Sequence, residues 1–170
     1  AALHLAVDAL GLGPGQAVLV PTMTFAATAE VVRYQNASPL LVDCDPASLH
    51  MDLEDAERKL EQLRNGRTPL DRSLQVVGIA PVHVGGHMMD MDAVRKFASD
   101  HGLWVVEDAA HSFPAAYRAS GDDAWRRCGE HTADATCFSF YANKTMTTGE
   151  GGMVVTDDES LAGRMRQMSL

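Results

Sequence analysis

Short apolar runs recur along this chain, and segments with helical periodicity separate them. The runs are Ala17-Val18-Leu19-Val20, closed by Pro21, then residues 39–42, 75–82, 103–106, 135–138 and 153–156. Between them lie helical patterns at 25–35, 53–63 and 91–101, with a first one at 1–10 (Leu3, Val7, Leu10) and a last one from Asp158. Thr24 is placed to cap the second helix, and Gly11 to Gly15 and Asp43-Cys44-Asp45-Pro46 read as turns. Strands that are apolar on both faces, alternating with helices of about ten residues, predict an α/β fold. Its sheet is mostly parallel and covered by helices on both faces. The opposite-sign pairs of 53–63 read as a solvated helix face. A polar stretch, 118–132, holds Gly121, Trp125 and Arg126-Arg127 and reads as a long loop. Residues 1–170 form one domain, without internal repeat or linker.

Composition removes several function classes. A net charge of -9 with no basic stripe argues against a nucleic-acid-binding surface. Three widely spaced cysteines (Cys44, Cys128, Cys137) do not form a disulfide framework or a structural zinc site. No apolar run is long enough to cross a bilayer and no signal peptide is visible, so the expectation is a cytoplasmic enzyme or binding protein. The chain opens on Ala1, already inside an apolar pattern, and closes on Leu170 within a helical one; it reads as a piece of a longer protein.

In open parallel sheets ligands bind outside the carboxyl ends of the strands. That rule selects residues 22–25, His83, residues 107–111 and residues 139–144. Together they offer a ring, a carboxylate, an imidazole, a hydroxyl and an amine. Pyridoxal phosphate needs most of that set. Its aldehyde needs a lysine, its phosphate needs hydroxyl and backbone N–H donors, and its ring nitrogen needs a carboxylate. Its ring face needs a flat apolar partner. Singly, each residue has a plainer reading. Lys144 could be a solvated lysine, Asp108 a polar strand end, Ser139 a partner of local backbone and Phe25 a core residue. His83, His87, Asp90 and Asp92 suggest a metal site, but Gly85-Gly86 denies the histidines a helix face, and no metal is expected. The glycines of 11–15 follow a helix and precede a strand, the reverse of a dinucleotide fingerprint, and no strand is followed by a glycine-rich turn. A nucleotide-binding doubly wound domain is therefore the weakest reading.

Thr22-Met23-Thr24-Phe25-Ala26-Ala27-Thr28, Pro81-Val82-His83, Glu107-Asp108-Ala109-Ala110-His111, Phe138-Ser139-Phe140 with Lys144, and Gly149-Glu150-Gly151-Gly152 follow one another in this order. This ordered set resembles the motifs of the DegT/StrS family of pyridoxal-phosphate-dependent sugar aminotransferases. Each motif is weak alone; together, over essentially the whole chain, they are specific. The resemblance implies the large domain of a fold type I transferase, with an N-terminal segment and a C-terminal small domain outside residues 1–170. It implies that Lys144 forms the internal aldimine and shuttles the proton, and that Asp108 pairs with the pyridinium nitrogen. Phe25 would stack on the ring, and His111, where many relatives have glutamine, would lie by the ring's other polar substituents. Ser139 would hydrogen-bond the phosphate, and Ala1 would donate its backbone N–H to it. The implied reaction is ping-pong transfer of an amino group, from a donor such as glutamate, to a keto group of a nucleotide-linked sugar, by a homodimer. Lys144 also argues against the related sugar dehydratases, where histidine replaces the lysine. A non-catalytic cofactor-binding regulatory or scaffold protein of the same fold is the alternative, and the joint presence of lysine, aspartate and serine speaks against it. The 118–132 segment exceeds the family's short turn, and reads as a surface elaboration rather than an arm reaching a substrate diphosphate.

Overall fold

The computed structural model describes residues 1–118 and 124–169. In chain order the elements are α1 (Ala2–Ala9), β1 (Gln16–Pro21), α2 (Ala27–Tyr34), β2 (Ser38–Val42), α3 (Leu53–Arg64), β3 (Gln75–Ile79), α4 (Met91–His101) and β4 (Trp104–Asp108). After β4 come β5 (Ala116–Tyr117), β6 (Arg126–Arg127), β7 (Ala135–Ser139), β8 (Gly152–Val155) and α5 (Glu159–Met168). Six strands form one sheet in the order β2-β1-β3-β4-β7-β8. All neighbours are parallel except β8, which runs antiparallel to β7 at the edge. This is the α/β fold the apolar runs predict.

Alternation along the strands divides the core in two. Val18, Val20, Val106, Ala135 and Cys137 pack with α1, α2 and α5, while Leu19, Ile79 and Val105 pack with α3 and α4. Because β1 lies between β2 and β3, the chain reverses direction across the sheet there, and a crevice opens at the carboxyl ends. Among the described residues no helix is long and apolar enough to cross a membrane.

Asp52, Asp90 and Asp158 cap α3, α4 and α5, each side chain accepting two backbone N–H bonds. Gly102 ends α4 in the left-handed region. The second helix departs from expectation. It starts at Ala27 behind Ala26, with no side-chain cap, because the Thr24 hydroxyl points elsewhere. β3 stops at Ile79 rather than running to residue 82, since Pro81 has no N–H to give the ladder; Val82 keeps one bridge to Asp108. The 118–132 segment is not wholly loop. Arg126–Arg127 pairs with Ala116–Tyr117, and Arg126 Nη1 donates to Asp92 Oδ1 at 2.6 Å. Arg118 lies over the Trp125 ring at 5.5 Å. Gly121 and its neighbours at 119–123 lie outside the described residues.

Gly78 of β3 leaves room for the Trp104 ring of β4: a Cβ there would sit 2.4 Å from three ring carbons. Gly78→Ala should therefore displace the indole and lower unfolding free energy by about 1–3 kcal/mol in a urea titration. His50 is buried; its Nε2 bonds the His87 carbonyl at 2.9 Å and its ring stacks on His87 at 4.6 Å. Burial holds its pKa below the ordinary value, against the opposing pull of the His87 carbonyl. The unfolded chain thus takes up this proton more readily. The contribution is complete above about pH 6.5 and is lost as pH falls below it. The urea midpoint should drop between about pH 7 and pH 5.5, and His50→Gln should flatten that slope.

Candidate active site

β4 ends in two adjacent carboxylates with opposite surroundings. Alternation sends Asp108 to the side of α1 and α2, and Glu107 to the side of α4. Backbone bonds fix the strand end: Asp108 N–H donates to the Pro81 carbonyl (2.9 Å), His83 N–H to the Asp108 carbonyl (3.2 Å), and Ala109 N–H to the Cys137 carbonyl (2.9 Å). Asp108 is 5% exposed. Its Oδ2 accepts from the Thr28 hydroxyl at 2.7 Å and its Oδ1 from Ala110 N–H at 3.2 Å. A carboxylate offers about four acceptor positions, so a further donor can still be received.

Ser139 ends β7 on the face that Ala135 and Cys137 share. Asp108 pairs with Cys137 in register, so Ser139 stands two residues beyond Asp108 on the neighbouring strand. Strand rise and spacing put the two Cα atoms roughly 8 Å apart. Ser139 in turn pairs with Gly152 of β8. A Cβ on Gly152 would lie 2.9 Å from the Phe138 carbonyl, which the glycine avoids, and 3.6 Å from Ala2 Cβ, an ordinary contact that sets the start of α1 against the sheet end. Ala1 opens that helix, its carbonyl accepting Leu5 N–H at 2.9 Å. The Ser139 oxygen accepts Tyr141 N–H at 3.3 Å, the local backbone contact of its plainer reading, while its own proton is left to give.

Lys144 sits in the turn that follows β7. Its N–H donates to the Tyr141 carbonyl (3.0 Å), and the turn closes where Thr148 N–H reaches the Phe140 carbonyl (3.0 Å). The chain has three lysines: Lys59 lies 4.0 Å from Asp55 and Lys96 pairs with Asp100. The half-buried Lys144 has no hydrogen-bond or ion-pair partner for its ammonium among the described residues. Phe25, 81% exposed at the end of β1, is not a core residue. His111 is exposed, with its backbone packed on Gly86; a Cβ there would fall 2.7 Å from the His111 carbonyl oxygen. Asp108, Ser139 and Ala1 thus gather at one end of the sheet. Phe25, His111 and Lys144 stand on loops at that same end.

Two features escaped the sequence. Thr28, 1% exposed, bonds Asp108 from 80 positions away. His83 and Glu107, both fully buried, join through Nε2 and Oε2 at 2.9 Å. The Cys128 thiol lies 3.7 Å from the same oxygen, and burial, then the Glu107 charge, push its pKa up. These three side chains approach one another as metal ligands would, but the imidazole is turned for a hydrogen bond. Its Nδ1 accepts Met89 N–H at 3.3 Å, which assigns the proton to Nε2, the atom facing Glu107. A metal-binding imidazole carries the opposite arrangement, its remote nitrogen donating. His87, grouped with His83 by spacing, goes instead to His50. Arg126 is tied to Asp92 and Tyr117.

The profile of the DegT/DnrJ/EryC1/StrS aminotransferase family matches residues 1–170. The chain belongs to that family. It is 43% identical to GDP-perosamine synthase of Caulobacter vibrioides over 165 residues, covering 97% of this chain and 39% of that protein. Among solved structures, S. venezuelae DesV, in complex with a ketimine intermediate, superposes with a TM-score of 0.81 at 38% identity, covering 98% of this chain and 40% of DesV. ntda from Bacillus subtilis, solved with bound cofactor PMP, gives 0.80 at 30% identity, covering 99% and 34%. The chain therefore spans about two fifths of the length of the relatives it matches.

Within this family member, the His83–Glu107 contact should carry stability. His83→Leu leaves a buried carboxylate without its donor, and unfolding free energy should fall by about 3 kcal/mol in a denaturant titration. A loss below about 1 kcal/mol would show that Glu107 finds water or protonates instead.

Proposed function

We propose that residues 1–170 are the large, cofactor-binding domain of a pyridoxal-phosphate-dependent aminotransferase that acts on a keto group of a nucleotide-activated sugar. The observation that carries this reading is the placement of Asp108 and Ser139 on one face of neighbouring parallel strands, with the start of α1 beside the serine. An acid at one end and a serine hydroxyl beside a helix start at the other suit a ring nitrogen and a phosphate, respectively. Bound pyridoxal phosphate supplies an electron-withdrawing ring that stabilises negative charge on the substrate carbon.

The chain's own residues do the rest. Asp108 receives the N–H of the ring nitrogen and keeps that nitrogen positive. Ser139 and the first turn of α1, with the Ala1 N–H, hold the phosphate. Phe25 covers one face of the ring and His111 lies beside its polar substituents. Lys144 would hold the aldehyde end, and once free its Nζ would carry a proton between the substrate carbon and the cofactor's aldehyde carbon. The sugar class follows the relatives, one of which is named for a GDP-linked product. Glutamate is the amino donor in the first half of a ping-pong cycle. The full-length protein carries a small C-terminal domain and works as a cytoplasmic homodimer.

The test is spectroscopic. The full-length protein should show a visible cofactor band that glutamate bleaches, with release of 2-oxoglutarate. Lys144→Ala should abolish the band and lower turnover about 10³-fold or more. An unchanged band in the alanine variant would sink the assignment.

A further inference from the structure

We infer that Thr28 is a positioning residue, holding the Asp108 carboxylate in one orientation through a hydroxyl chain that begins at Thr24. The inference rests on the function proposed above, since the oriented acid matters only if a ring nitrogen meets it.

The direction of the chain follows from proton counting. An ionised carboxylate only accepts, so the single Thr28 hydroxyl proton goes to Asp108 Oδ2 at 2.7 Å. The 2.7 Å contact between the Thr24 and Thr28 hydroxyls must then use the Thr24 proton. The longer Thr24 contact to the Phe25 carbonyl, 3.2 Å, becomes its alternative. The order Thr24 to Thr28 to Asp108 is thus the arrangement in which each hydroxyl donates once.

Asp108 needs such a restraint. The torsion that turns a carboxylate about its last bond is broad and roughly two-fold, so packing alone selects its plane weakly. Thr28 on Oδ2 and Ala110 N–H on Oδ1 grip the two oxygens separately and set that plane. Of these two bonds the Thr28 contact is the shorter and the more deeply buried.

The neighbourhood of α2 gives an independent argument. Three other helices carry an aspartate cap, whereas α2 starts on Ala26 with none. Thr24 stands close enough to serve, and a threonine within the first turn commonly bonds local backbone. Thr28 gives its proton to the acid instead, and Thr24 lies against Thr28, with only the longer contact to the Phe25 carbonyl as its local option. The same turn carries Phe25, so the chain ties the β1 side of the crevice to the end of β4.

The experiment uses the full-length protein and the variants Thr28→Val, which keeps the shape without the hydroxyl, and Thr28→Ser, which keeps the hydroxyl. Titration with pyridoxal phosphate should give a Kd about tenfold to a hundredfold weaker for Thr28→Val, with a displaced pH profile of the visible band. Thr28→Ser should bind as the wild type does. Thr24→Val should follow Thr28→Val with a smaller loss. Wild-type Kd and pH profile in Thr28→Val would overturn the inference. So would equal impairment of Thr28→Ser, which would make the methyl packing responsible. A crystal structure of the apo Thr28→Val variant separates this inference from the functional reading. The Asp108 carboxylate should turn out of its present plane, and its retention would overturn the inference even if the wild type took up no cofactor. Wild-type protein that takes up no cofactor, with a turned carboxylate in the variant, would defeat the functional reading alone.

Discussion

The register between β4 and β7 is the constraint from which the rest follows. Asp108 lies opposite Cys137, and with period-two alternation that single pairing decides which carboxylate faces α1 and α2. A slip of one residue would exchange Glu107 and Asp108. The residue now buried against His83 would enter the crevice, and the acid beside Thr28 would be driven into the opposite core. The cores on the two faces forbid that slip. Val106 and Cys137 are locked among the side chains of α1 and α5, and Val105 among those of α4.

The same pairing explains why two neighbouring acids have such different surroundings. Glu107 is fully buried and shares one oxygen with the His83 imidazole and the Cys128 thiol, while its other oxygen has no protein partner among the described residues. Asp108 has one donor on each oxygen and acceptor positions left over. One carboxylate is built into the core behind the sheet end. The other is built into the crevice with capacity to receive a donor.

Much of the fold was legible because it depends on local rules. The 91–101 helix was readable to the residue, since Asp90 caps it and Gly102 stops it. Buried parallel strands announce themselves as apolar runs, and their carboxyl ends point to Asp108 and Ser139 before any coordinates do. What escaped was decided by distant partners. Nothing near Thr28 in sequence signals a bond to a residue 80 positions away. Arg126-Arg127 reads as loop because its strand is only 2 residues long and its anchor, Asp92, lies 34 positions away. Thr24 lies two residues before the N-cap position, Ala26, and its hydroxyl meets Thr28 rather than the N–H groups of the first turn.

The departures from local rules are not spread evenly. Among the described residues, helix α2 lacks a side-chain cap, Lys144 lacks the acidic neighbour that the other lysines have, and Phe25 holds a large ring in solvent. Each is a small loss of stability with no compensation in the core, and all three lie at the carboxyl end of the sheet. Elsewhere Asp52, Asp90 and Asp158 cap α3, α4 and α5. Sequences that specify a fold consistently tend to break their own rules where a ligand supplies the missing partner. A ring to cover Phe25, an aldehyde for Lys144 and a positive nitrogen for the Thr28-held carboxylate would answer these departures together. That convergence is a stronger argument for one shared occupant than any of the residues taken singly.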